Sequence, residues 1–203
     1  MQLTRYTHSC VRLELDGRVL VVDPGIWSEP RALRGADAVL VTHEHVDHVD
    51  VLRLAGLGVP VHAPAGADLG GLDAQRVAPG EQFTAAGFRV RALGGRHAPV
   101  LPGQTGCANV GYLVEDLLYH PGDALHVPSQ PVDTLLVPLQ ASWLKTAEAI
   151  EFVRAVAPQR AIGIHDGQVN ERGLAGINGW LEEEGRTDYR WVPPGESVRC
   201  PGS

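Results

Sequence analysis

The sequence predicts an α+β fold of two stacked β-sheets flanked by helices. Three observations carry that expectation. Each half of the chain reads as strands first, then as alternating strand and helix. The residues suited to metal binding or acid–base work fall just past the ends of strands. No linker or low-complexity segment interrupts the 203 residues, so residues 1–203 are expected to form a single domain.

The first strands are expected at residues 2–6, 10–15 and 19–22, with Asp16–Gly17 as the hairpin turn between the last two. Asp23–Pro24–Gly25 closes this run as a turn. Residues 26–36 read as a loop or short helix, and Ala38–Val41 as a short, fully apolar strand. A helix then starts at Asp47 or Asp50, with Val51, Leu52, Leu54 and Ala55 at helical spacing, and Gly56–Leu57–Gly58 ends it. Residues 59–64 form the next strand, completing a βαβ unit.

Residues 75–93 return to strands, with Gly87 in a hairpin turn. A glycine-rich loop is expected over 94–109, and a loop of that length is usually functional. Strands at 110–115 and 117–120 turn at Glu115–Asp116. A buried strand at 133–139 leads to an amphipathic helix over 146–157, with Ala149, Ile150, Val153 and Val156 on one side. A strand at 160–165, a helix at 173–185 and a last strand with a tail at 189–200 complete the order.

Composition narrows the function. Hydrophobic residues at 44% and charged residues at 20% are ordinary for a folded globular protein. The formal charge is −7 and no basic run occurs, which argues against a nucleic-acid partner. No apolar run approaches the about 18 residues of a membrane span. Residues 1–10 are too polar for a signal peptide, so the expected location is the cytoplasm and the expected partner a small-molecule substrate. Cys10, Cys107 and Cys200 lie far apart, unlike a disulfide framework or a thiolate zinc site, and are expected to be reduced.

The chemistry concentrates after the strand Ala38–Val41. His43, His45 and His48 stand there with Asp47. His97 follows another strand, Asp123 another, and His165 ends the strand at 160–165. Strand ends on one edge converge on one crevice. Neutral imidazole and carboxylate form the ligand set for zinc, iron or manganese. In extended backbone, residues i and i+2 point the same way, so His43 and His45 suit one ion. Asp47 and His48 suit a second, and the two oxygens of Asp123 suit both; two-metal hydrolytic sites hold their ions roughly 3.5–4 Å apart. Residues 43–47 imitate the start of the zinc-protease pattern H-E-x-x-H, but its fifth position is Asp47, so Glu44 has no claim to be a protease base. Elsewhere, His62 reads as a packing residue, His120 and His126 as supporting or pocket groups, and Asp23 as a turn cap or a support for the site.

These residues together resemble the metallo-β-lactamase superfamily. Its signature H-x-H-x-D-H stands here as His43-Glu44-His45-Val46-Asp47-His48, and its later positions as His97, Asp123 and His165. The resemblance spans nearly the whole chain and implies a four-layer αββα sandwich. It also implies one metal held by His43, His45 and His97, a second by Asp47, His48 and His165, and Asp123 between them. The N-terminal stretch is similar to the branch of ascorbate-6-phosphate lactonases and related metal-dependent hydrolases. That branch carries G-H-[AS] where this chain has Thr7-His8-Ser9.

The implied activity is hydrolysis of a small, anionic ester, lactone or phosphoester by a hydroxide bridging two divalent ions, zinc first, with iron or manganese as alternatives. Metal binding brings a water's pKa from about 15.7 to about 7, so no separate strong base is needed. Asp47 is expected to be the catalytic residue, ligating and accepting a hydrogen bond from the nucleophile. His8, Trp143 and Lys145 are expected on the substrate-binding rim, with Lys145 contacting an anion and Trp143 a ring. Rival readings are an iron-dependent oxidoreductase resembling a persulfide dioxygenase, and a protein that binds metal without catalysis.

Overall fold

Two seven-stranded sheets stack face to face in the computed structural model, which describes residues 1–200; the last three residues of the predicted domain lie outside it. The first sheet takes β1 (Gln2–Arg5), β2 (Val11–Leu15), β3 (Arg18–Val22), β4 (Ala38–Leu40), β5 (Val61–Pro64) and β6 (Gln75–Val77). The second takes β7 (Gln82–Ala85), β8 (Phe88–Arg96), β9 (Ala108–Val114), β10 (Leu118–His120), β11 (Thr134–Pro138), β12 (Arg160–Ile164) and β13 (Asp188–Arg190). A final strand, β14 (Ser197–Arg199), returns to the first sheet and pairs antiparallel with β1. The helices are α1 (Val51–Ala55), α2 (Thr146–Val156) and α3 (Glu171–Glu184).

The two halves repeat one plan. Strands β1 to β3 form an antiparallel meander, and β3 to β6 then run parallel. Strands β7 to β10 are antiparallel, and β10 to β13 run parallel. This is the strands-first, alternation-later pattern legible in the sequence. Parallel neighbours require crossover connections, which is where the helices fall.

Alternation along the strands sorts three apolar layers. Leu20, Val22, Leu40, Phe88, Val90, Tyr112, Val114, Leu136, Ile162 and Ile164 fill the space between the sheets. Val19, Val21, Val39, Val41 and Val61 face outward beneath Leu33 and Leu54. Leu113, Leu135 and Val137 face outward beneath Ala149 and Phe152 of α2 and Leu181 of α3. The first sheet's outer cover is thin, a single turn of 3-10 helix at Pro30–Leu33 and the five-residue α1. Leu40 and Ile164 are both fully buried and stand immediately before loops of the candidate site. Burying each contributes about 1.5–3 kcal/mol, which fixes where those loops start.

The structure decides one open choice and moves other boundaries. Helix α1 starts after Asp50, whose side chain accepts from the Arg53 amide at 3.0 Å, so Asp50 and not Asp47 is the cap. Strand β8 continues through Gly94, Gly95 and Arg96, paired to Val110, Asn109 and Ala108, which shortens the expected loop to residues 97–107. Helix α3 starts at Glu171, capped by Asn170, rather than at Gly173. No helix of the described residues is long and apolar enough to cross a membrane.

Candidate metal centre

The polar cluster gathers at one end of the stacked sheets because strand direction puts it there. Strands β8, β10 and β12 run the same way, so His97, Asp123 and His165 leave the same edge of the second sheet. The loop after β4 brings His43, His45, Asp47 and His48 from the first sheet. Two hydrogen bonds fasten the sheets at this point, from Tyr112 Oη to the Val41 carbonyl at 2.9 Å and from the Val110 amide to the Thr42 carbonyl at 3.0 Å.

All seven predicted ligands come together. His43, His45 and His97 form one set whose ligand atoms lie within 4.8 Å of one another. His43, His48 and Asp123 form a second, and Asp47, His48 and His165 a third, which also includes His8. Asp123 lies between the sets: Oδ2 is 3.3 Å from His97 Nε2, while Oδ1 is 3.1 Å from His48 Nε2 and 3.2 Å from His165 Nε2.

The protons on these imidazoles are fixed by their outer partners. His97 Nδ1 donates to the Ala98 carbonyl and His165 Nδ1 to the Gln140 carbonyl. His48 Nδ1 donates to Asp23 Oδ2 at 2.7 Å. Thr42 Oγ1 donates to Asp23, so it accepts from His43 Nδ1 at 3.1 Å. A carbonyl only accepts, so in the neutral rings Nε2 carries the lone pair. Those lone pairs converge. His43 Nε2 lies 3.1 Å from His45 Nδ1, which donates to it in one tautomer and offers a second lone pair to an ion in the other. His48 Nε2, Asp123 Oδ1 and His165 Nε2 are buried without a hydrogen-bond partner, because their close approaches have the wrong directions for one. Buried orphans of this kind are costly unless an ion satisfies them. Imidazole and carboxylate donors in this arrangement fit divalent transition metals.

Electrostatics follow the same geometry. Burial opposes a charged His48, yet Asp123 and Asp23 on either side hold its proton affinity well above the ordinary value. Burial likewise opposes a charged Asp123, but His48 and His165 hold its carboxyl well below the usual range. Burial lowers His43, and His48 adds to that. Asp47 sits at about 2: burial works against ionisation, but the His8 hydrogen bond and the imidazoles of His48 and His165 prevail.

His8, expected on the rim, is fully buried and meets the centre through Asp47. Its Nδ1 accepts from the Gly167 amide at 3.1 Å, so Nε2 carries the proton and donates to Asp47 Oδ2 at 3.1 Å. Burial lowers its own pKa to about 4, consistent with a neutral donor. His8, Asp23 and His165 all take left-handed backbone, with φ of 68°, 50° and 60°. Such strain gathers at functional sites. The His165 amide donates to the His8 carbonyl at 2.9 Å, pairing two of the strained residues.

Trp143 does reach the centre. Its indole N–H donates to Asp123 Oδ2 at 3.0 Å, and its ring lies 6.0 Å from that of His97. Lys145 is exposed at the start of α2, and among the described residues no hydrogen bond or ion pair joins its side chain to the cluster. Glu44 points away and accepts from the Asp68 amide. His62 stacks on Phe83 as a packing residue, and His120 lies beneath the site, donating to the Ser9 carbonyl at 2.8 Å.

Some supports carry no signal in the residue pattern. Asn109 Oδ1 accepts from the Asp123 amide at 3.0 Å and shapes the turn before it. Gly122 in that turn has φ of 62°, and a Cβ there would lie 2.3 Å from Asn109 Oδ1. A Cβ at Gly25 would lie 1.9 Å from the Asp47 carbonyl oxygen, so only glycine lets that turn pass under the loop.

The chain matches the β-lactamase superfamily domain over residues 2–165. It is 39% identical to protein Rv0786c of Mycobacterium tuberculosis, covering 98% of this chain and 99% of that protein. It is 28% identical to UPF0173 protein PF0020 of Pyrococcus furiosus, covering 84% and 86% of the two chains. Other UPF0173 relatives are named metal-dependent hydrolases. Among solved structures, Igni18, a metallo hydrolase from Ignicoccus hospitalis, superposes with a TM-score of 0.75 at 20% identity, over 97% of both chains. By sequence match and by fold, this chain belongs to the metallo-β-lactamase superfamily.

Proposed function

We propose that this protein is a metal-dependent hydrolase of a small ester, lactone or phosphoester, working with two divalent ions, zinc first. The observation that carries the reading is the convergence of imidazole Nε2 atoms on Asp123, with their Nδ1 atoms tied to acceptors. His43, His45 and His97 would hold one ion, Asp47, His48 and His165 the other, and Asp123 both. When bound, such ions supply Lewis acidity toward a carbonyl or phosphoryl oxygen and a water that ionises near pH 7.

The chain's own groups do the rest. Asp47 stays ionised because His8 donates to Oδ2, leaving Oδ1 free to accept a proton or a hydrogen bond from an attacking water. Trp143 fixes Asp123 Oδ2 through its indole N–H. His45 is exposed and Asp47 half-buried, so substrate approaches on their side.

The test is a hydrolysis panel of lactones, phosphodiesters, thioesters and β-lactams on protein of measured metal content. Asp47→Ala is expected to lower kcat/KM on the best substrate by about 10²–10⁴ with the fold intact. Full activity in that variant refutes the assignment. One iron per chain with oxygen uptake, in place of about two zinc ions, refutes the hydrolytic reading.

A further inference from the structure

We propose that the substrate enters the centre behind an apolar group, an acyl chain or aryl ring, which an apolar rim of this protein receives. The inference takes from the hydrolase reading only the position of the reacting bond. Eight large apolar side chains among the described residues are strongly exposed, and six of them sit on loops that frame the centre. Val46, 60% exposed, lies between His45 and Asp47. Ile26 and Trp27, 47% and 39% exposed, lie in the turn after β3. The Ile26 amide donates to the Val46 carbonyl at 2.9 Å, and the Trp27 ring stands edge-on to His8 at 4.8 Å. From the second sheet, Val100 and Leu101, 48% and 65% exposed, ride the loop after His97, and Val127, 42% exposed, the loop after Asp123. The Ala98 amide donates to the Asp123 carbonyl at 2.8 Å, which joins those two loops. Between them lies a shallow cavity with His97 in its wall and Pro99, Leu125 and His126 beside it.

Exposed apolar surface that gathers in one place marks a contact site. Here it surrounds a reactive centre, which favours an occupant that arrives and leaves with each turnover. A permanent partner seated on this rim would seal His45 and Asp47 from solvent. The rim loops, residues 23–28, 43–50, 97–107 and 121–130, hold no lysine or arginine, and the arginines that flank them are committed elsewhere: the Arg96 guanidinium donates to the Gly106 carbonyl, and Arg53 pairs with Asp50. The rim therefore selects for an apolar appendage and offers little to a small hydrophilic anion.

Calorimetry of the zinc-loaded protein with acetohydroxamate and octanohydroxamate tests this, because the chelating head is constant and only the tail changes. A fully buried methylene is worth about fourfold in affinity, so a partly buried tail should tighten binding by about thirtyfold or more. Val46→Ser and Leu101→Ser should each narrow that gap about threefold or more. Octanamide against acetamide on the metal-free protein reads the tail without the head and should rank the same way. Equal affinities within each pair overturn the proposal, as does a gap that neither substitution narrows. A dimer in light scattering that Leu101→Asp dissociates, together with equal hydroxamate affinities, assigns the rim to a second copy and also overturns it. An intact tail dependence on a protein that hydrolyses no ester supports this inference and counts against the hydrolase reading alone.

Discussion

Asp23 holds the centre from behind, and replacing it separates metal binding from folding. It is fully buried; Oδ1 accepts from the Thr42 amide, and Oδ2 from Thr42 Oγ1 and His48 Nδ1, each at 2.7 Å. Asp23→Ala strands three buried donors, at about 1–3 kcal/mol each. Part of that is recovered because no carboxylate is buried, so a net loss near 3–4 kcal/mol is expected. Asp23→Asn is more informative. Its amide oxygen can still accept from Thr42, but its NH2 then faces His48 Nδ1–H, donor against donor. His48 responds by moving its proton to Nε2, the atom 3.1 Å from Asp123 Oδ1. That nitrogen then carries a hydrogen and cannot ligate an ion. Under the proposed two-ion reading, one of the two metal equivalents should weaken by about 10- to 100-fold, or about 1.4–2.7 kcal/mol. Competition titration against a chromogenic chelator reads the affinity, and circular dichroism with urea unfolding reads the fold. If folded Asp23→Asn binds both equivalents as tightly as the parent, the tautomer argument is wrong.

Three further outcomes are expected. Asp166 pairs with fully buried Arg5 and accepts from the His8 amide and Trp191 Nε1. Asp166→Ala should therefore cost about 3–5 kcal/mol in urea unfolding, and a loss under about 1 kcal/mol would show the pair to be dispensable. His48 has a raised pKa in the folded, metal-free protein, so its proton stabilises the fold below the unfolded value near 6.5 and is lost only as pH rises through the raised folded value. An ion must expel that proton, so metal affinity should fall with falling pH. Calorimetry at pH 7 in buffers of different ionisation enthalpy should give different heats, and equal heats refute proton release. Gly25→Ala should cost about 3 kcal/mol or more and disturb Asp47, whereas Gly176→Ala, with open space on α3, should be neutral or stabilising by up to about 1 kcal/mol. Unfolding midpoints compare the two.

The convergence of the candidate ligands was legible because their chemistry is written in residue type and their placement in strand direction. His97, Asp123 and His165 stand far apart in the chain but leave parallel strands at one edge. The doubled plan of the sheets was legible from the order of elements. His8 was misplaced on the rim because its inward direction depends on a left-handed backbone and on the Gly167 amide, neither of which leaves a pattern in sequence. The loop after β8 was read too long because Gly94 and Gly95, ordinarily punctuation, pair with Val110 and Asn109 as strand. Asn109 and Thr42 carry the site through hydrogen bonds to backbone and carboxylate, and any surface loop holds similar residues. The apolar rim was invisible because Val46 or Leu101 reads as core until the fold leaves it in water.

The candidate ligands come from both sheets, His43 to His48 from one and His97, Asp123 and His165 from the other. An ion held among them is therefore a clasp across the interface between the two halves. Such an ion binds the folded chain and has no preformed cage in the unfolded one. Opening the sandwich then means giving up the ion, and resistance to unfolding and proteolysis becomes a function of free metal. A hundredfold excess over Kd adds about 2.7 kcal/mol, comparable to burying one large side chain. The same atoms that are proposed to prepare a water for reaction would thus set how long the protein survives when metal is scarce.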